Sequence, residues 1–206
     1  EDRVIYDICD AASGRVPPER AILQDDRCER LWFISAPYSY IKRLDSRTFS
    51  AFLDRADRIF NFDYIIMDSP CGNDFMLEVA ASVADSAFII TMPHATSLRS
   101  AGKTGSMLTR MKVGNQRLII NHFSTDGSKR GIKNDYRTII KLIDQTRIRL
   151  IGVVPESKRL VSLQDEGRLA DEAGSSNAAV AFENIARRVM GQNVRLMRNF
   201  HSKYNV

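Results

Sequence analysis

The segment that most constrains this chain is Phe62–Met67, Phe-Asp-Tyr-Ile-Ile-Met, which stops abruptly at Asp68-Ser69-Pro70 with Gly72 close behind. The run is too short for a buried helix, and its aromatic and β-branched content suits a strand buried on both faces. An acid at the carboxyl end of such a strand lies where open α/β sheets keep their ligands. A carboxylate there can hold a magnesium ion, directly or through a water, beside nucleotide phosphates. Asp, Ser, Pro and Gly also favour plain turns, so the reading depends on the rest of the chain.

The rest repeats the pattern. Ser86–Met92 is a second apolar run, ending at Pro93; Arg117–Asn121 ends in a polar Asn; Ile148–Val154 ends at Pro155-Glu156. Helical segments separate them, and strand–helix alternation predicts an α/β fold with a mostly parallel sheet covered by helices on both faces. The predicted helices are Arg3–Ala12, stopped by Gly14, a turn at Glu19–Leu23, and a helix capped by Asp45 or Ser46 with Phe49, Phe52, Leu53, Ala56, Ile59 and Phe60 on its apolar face. Phe75–Ala84, Thr96–Met111, Tyr136–Asp144, Leu160–Gln164 and Ala178–Met190 follow, and Arg30–Ser35 reads as a further strand. Trp32 reads as core, and Arg99, Lys103, Arg110 and Lys112 as a solvated face.

Composition bounds the function classes. At 206 residues with 44% hydrophobic and 27% charged side chains, the chain is an ordinary globular one. The net charge of +5 permits an anionic partner without identifying one. Cys9, Cys28 and Cys71 form no CxxC pair, which argues against a zinc or iron–sulfur site and suits a reducing cytoplasm. No stretch approaches the ~18 apolar residues of a spanning helix. The chain opens Glu-Asp-Arg, without Met, and passes into a helical pattern with no strand before it, which reads as a cut opening. Two local matches to phosphate loops fail: Asp126–Gly131 has the wrong spacing, and Gly102-Lys103-Thr104 sits inside a helical pattern without the upstream Gly.

Arg3–Asp7, Phe62–Gly72, Leu118–Asn121 and Leu150–Glu156 together resemble, in order, the MinD/ParA family of deviant P-loop ATPases, and its septum-site MinD branch best. The resemblance runs from Arg3 to about Gly191, giving a nucleotide-binding domain over 1–191 and a tail over 192–206. It implies that Asp68 orders the Mg2+ site and that Ser69, Pro70 and Gly72 belong to the switch beside the γ-phosphate of ATP. Asn121 would contact adenine, since a side-chain amide both donates and accepts, with Pro155 and Glu156 lining the base pocket. The family also implies a homodimer with ATP, division-regulator partners, a cytoplasmic protein peripheral at the inner face of the cell membrane, and no sequence-specific nucleic acid. In the tail, Leu196, Met197, Phe200 and Tyr204 fall on one helical face, with Arg195, Arg198 and Lys203 mainly off it. Such a basic amphipathic helix can lie in an anionic membrane surface.

The departures are as specific. The glycine-rich loop with its lysines and the first switch, which in the family precede the segment matching Arg3, have no counterpart in these residues. No catalytic residue is therefore assigned, and the chain by itself should not bind or hydrolyse ATP in the family's manner. On the family's partner surface, Ser97-Leu98-Arg99 keeps the Ser-x-Arg core, but His94, Ser100 and Gly102 replace the usual acids, and His122 replaces a common Arg. The expectation is an ATP-dependent, membrane-associated regulator of division-site placement. The alternatives are a flagellar-placement or ParA-like positioning ATPase, or a non-enzymatic interaction module without a P-loop.

Overall fold

A computed structural model of the chain describes residues 5–37, 44–69, 75–124, 140, 143–168 and 170–196. Their contacts divide into two units, Glu1–Ala84 and Asp85–Val206.

In the first unit, helix α1 spans Ile8–Ala12 and starts later than the periodicity predicts. The cause is Asp7. Its carboxylate accepts hydrogen bonds from the Cys9 and Asp10 amides at 2.8 and 3.0 Å, and the Asp10 carboxylate accepts from the Asp7 amide at 3.3 Å. This capping box fixes the helix start, and Gly14, at φ 77°, turns the chain after it as expected. Helix α2 is Pro18–Ala21, and strands β1 (Leu23–Asp25) and β2 (Cys28–Phe33) form an antiparallel hairpin. Helix α3 (Ser46–Phe60) is capped by Asp45 and closed by Asn61 in the left-handed region; α4 is Phe75–Val83. Phe49, Phe52 and Ala56 of α3 pack with Cys9, Ala11 and Val79 into one core. Arg55 donates to the Ala11 carbonyl at 3.1 Å, satisfying an acceptor that the short α1 leaves over. Trp32 packs at that core's edge, 5.0 Å from the Phe60 ring.

The structure corrects the reading of Phe62–Met67. The segment forms no strand and pairs with none among the described residues. Nor is it buried on both faces: Tyr64, Ile65 and Ile66 are 59%, 43% and 85% exposed, and only Phe62 and Met67 touch the core. A strand needs a ladder partner as well as a suitable local sequence, and the run supplies only the sequence.

The second unit carries the α/β signature. Strands β3 (Ser86–Thr91), β4 (Asn115–Phe123) and β5 (Leu150–Pro155) form a parallel sheet in the order β3-β4-β5. Helix α5 (Ala95–Arg110) packs on β3. After β5 come α6 (Lys158–Asp165), a 3-10 turn at Ala170–Ala173, and α7 (Asn177–Val189), which packs on β5. Leu118, Ile120, Phe123, Val153 and Val154 are almost wholly buried, as parallel strands require. Gly152 lets α7 approach closely: a β-carbon there would lie 2.2 Å from Ile185 Cγ1. The expected loop at Asp126–Gly131 lies outside the described residues, as does most of Tyr136–Asp144.

Candidate nucleotide-binding rim

The useful geometry is at the carboxyl ends of β4 and β5. Their register passes from Ile120↔Val153 to Phe123↔Pro155, so Asn121 and His122 stand opposite the single residue Val154. This is a bulge, a device that re-aims side chains beside sites. His122 takes the left-handed conformation, φ 53°, which a residue with a β-carbon adopts only where the surroundings demand it. The Asn121 side-chain oxygen accepts from the His122 amide at 2.9 Å, which fixes the carboxamide and leaves its NH2 group without a hydrogen bond among the described residues. On β5, Pro155 is buried opposite Phe123, and the Glu156 amide donates to the Phe123 carbonyl at 3.2 Å. Glu156 itself is exposed, and Ser157 beyond it caps α6 by accepting from the Leu160 amide at 3.3 Å.

The structure therefore brings Asn121, Pro155 and Glu156 together on one sheet rim. Thr91, 5% exposed, ends the neighbouring β3 opposite Ile120, and its hydroxyl donates to the Met92 carbonyl at 3.3 Å. Sequence reading passed over Thr91, although a polar residue closing an apolar run was the same signal that singled out Asn121. A carboxamide with a spare donor beside a buried proline ring suits a planar, hydrogen-bonding heterocycle such as adenine.

Asp68 and Ser69 belong to the first unit. Asp68 is exposed and Ser69 half-buried just after Phe62–Met67, and Pro70 and Gly72 lie outside the described residues. Among the described residues no group of three His, Cys, Asp or Glu could hold a metal ion. Mg2+ beside nucleotide phosphates needs only one or two carboxylates, so the exposed Asp68 fits that role and no all-protein cage is implied.

The C-terminal residues differ from the sequence reading where they are described. Gly191, at φ 82°, ends α7, and Val194–Leu196 are not helical. Arg195 and Leu196 are exposed; Met197, Arg198, Phe200, Lys203 and Tyr204 lie outside the described residues. Helix α5 presents Arg99, Lys103 and Arg110 to solvent, as expected of a solvated face. No described helix is long and apolar enough to cross a membrane.

Comparison with known proteins shows the family. The family model ParA, described as NUBPL iron-transfer P-loop NTPase, matches residues 45–190. The septum site-determining protein MinD of Bacillus subtilis (strain 168) is 27% identical over 199 residues, 95% of this chain and 72% of that protein. The MinC:MinD cell division protein complex of Aquifex aeolicus contains a chain 30% identical, with a TM-score of 0.84 over 96% of this chain and 78% of that one. MinD of Pyrococcus horikoshii OT3, solved with Mg-ADP, shares the fold at 21% identity and a TM-score of 0.73, over 90% of this chain and 74% of that one.

Proposed function

Because the chain belongs to the ParA family of P-loop NTPases and is similar to MinD proteins, we propose that it is the base-binding and regulatory part of a MinD-type ATPase that places the division site. The observation that carries the reading is the β4 bulge, which aims the Asn121 carboxamide beside Pro155 and Glu156 at the carboxyl end of a parallel sheet. Asn121 hydrogen-bonds the adenine edge, the Pro155 ring walls one side of the base, and the backbone around Glu156 closes the pocket. Asp68 orders a magnesium ion, and Ser69, Pro70 and Gly72 form the switch that senses the terminal phosphate. Bound Mg2+ would neutralise phosphate charge.

The phosphate cradle itself is not among these residues, since no GxxxxGK[ST] sequence occurs in them. The second reading is an interaction module that keeps the sheet and binds partners without nucleotide. The cysteines form no CxxC pair, and of the two described, Cys9 is buried and Cys28 half-buried. The association of MinC with MinD in the Aquifex aeolicus complex makes a division regulator the natural partner class. Homodimerisation with ATP and contact of the tail with an anionic membrane complete the proposal.

The test is fluorescent ATP binding, with Mg2+, by the protein as the cell makes it and by its Asn121→Ala variant. The expected result is binding weakened about tenfold, as for one lost hydrogen bond to a buried polar partner, together with reduced preference for ATP over GTP. Binding by the parent protein with no change in the variant would remove the adenine role. No binding at all by the parent would leave the interaction module as the reading.

A further inference from the structure

Arg188 stands in the last turn of α7, where a cation usually projects into water. Here it turns inward. Its Nη1 donates to the Ile151 carbonyl at 2.9 Å and its Nε to the Val194 carbonyl at 2.9 Å, while Nη2 donates to the Arg195 carbonyl. Among the described residues no carboxylate pairs with it. Three main-chain oxygens from two separate stretches hold one guanidinium, whose planar fork of donors suits such a task as a lysine ammonium does not.

The acceptor on the sheet side has a reason to be available. Register passes from Leu118↔Leu150 to Ile119↔Gly152, so Ile151 is the extra residue of a second bulge, this one in β5, and has no ladder partner. It is also 7% exposed, where an unsatisfied carbonyl is costly. On the other side, Gly191 reverses the chain after α7 and returns Val194 and Arg195 to the same guanidinium.

We propose that Arg188 is the positioning residue of the start of the C-terminal tail, rooting Val194 and Arg195 on the β5 bulge and so fixing the point from which the sequence after Leu196 continues. The root stands on these contacts alone; only its use, presenting the tail to an anionic surface, rests on the membrane reading above. Burial holds the guanidinium below its usual pKa range, which agrees with its inward position.

The experiment is limited trypsin digestion of the otherwise unaltered protein, following cleavage after Arg195 by mass spectrometry, with cleavage after the exposed Arg27 as internal control. Arg188→Met should accelerate the Arg195 cut about tenfold and leave the Arg27 cut unchanged. Arg188→Lys, which keeps the charge and three donors but not the planar fork that spans two stretches, should fall between. If Arg188→Met does not fold, the lysine variant alone decides. An unchanged Arg195 rate in a folded variant overturns the proposal. Sedimentation with phosphatidylglycerol-containing vesicles, run on the same proteins and on a chain lacking Arg195–Val206, addresses the membrane reading separately. Unchanged sedimentation of the truncated chain removes that reading, while the cleavage rates still decide the root.

Discussion

Replacing Gly152 with alanine probes the contact that sets α7 on the sheet. The added β-carbon would lie 2.2 Å from Ile185 Cγ1 and 2.4 Å from Cδ1, where carbon pairs normally rest at roughly 3.5–4.0 Å. Something must move by more than about 1 Å. Ile185 cannot simply swing away, because Cγ1 is bonded to its β-carbon and a β-branched side chain in a helix has one strongly preferred χ1. The strain therefore falls on the α7–β5 spacing. Overpacking of this kind costs about 1–3 kcal/mol, and a clash at the first side-chain carbon belongs at the upper end. For a chain of this size that lowers the midpoint of thermal unfolding by roughly 4–12 °C.

The partner substitution sharpens the test. Ile185→Ala alone removes both clashing atoms and leaves a cavity, at about 2–5 kcal/mol. In the double variant the Gly152→Ala methyl enters that cavity. Its loss should then fall short of the summed single losses by about 1–3 kcal/mol. Thermal unfolding followed by circular dichroism on the four proteins measures this directly. Additivity within about 0.5 kcal/mol, or an unaffected Gly152→Ala variant, would refute the contact.

Two further substitutions test local features. Gly105→Ala should cost less than Gly152→Ala: its β-carbon would meet Ile148 Cδ1 at 2.8 Å, Gln116 Oε1 at 3.1 Å and Ile148 Cγ1 at 3.3 Å, but the nearest atom is the far end of a side chain, and alanine gains about 1 kcal/mol of helix propensity over glycine. A loss as large as that of Gly152→Ala would contradict this. Asp45→Ala should lower stability in a pH-dependent way. Above all the Thr48 hydroxyl, which donates at 2.6 Å, and then the Thr48 and Arg47 amides hold the Asp45 carboxyl below its ordinary 3.8. A depressed folded-state pKa contributes stability that is complete above the unfolded value and lost as pH falls through the folded one. The melting gap between parent and variant should thus be full at pH 7 and close below about pH 4; a gap independent of pH would show that the carboxylate is not the active group.

Much of the scaffold was legible because its cause is local. The apolar stripe of α3 and its Asp45 cap, the apolar runs within β3 and β5, and the Gly14 stop need no knowledge of distant residues. Phe62–Met67 failed for the opposite reason: whether an apolar run becomes a strand depends on a neighbour to pair with. The rim was half legible. That Asn121 and Pro155-Glu156 close apolar runs could be read directly, but the bulge that aims Asn121 is a property of register between two strands 30 residues apart. Arg188 left no trace in the sequence, because a basic residue in the last turn of a helix reads as solvated and only the β5 bulge reveals what it serves.

The exposed Tyr64–Ile66 segment has a practical bearing on handling. An exposed apolar stretch that pairs with no strand among the described residues is a potential contact surface for a second copy of the chain. Asp63 and Asp68 bracket the stretch as gatekeepers, and Asp63 pairs with Arg30 at 3.1 Å. Replacing either carboxylate with an uncharged side chain should therefore raise the tendency of the isolated chain to self-associate at high concentration.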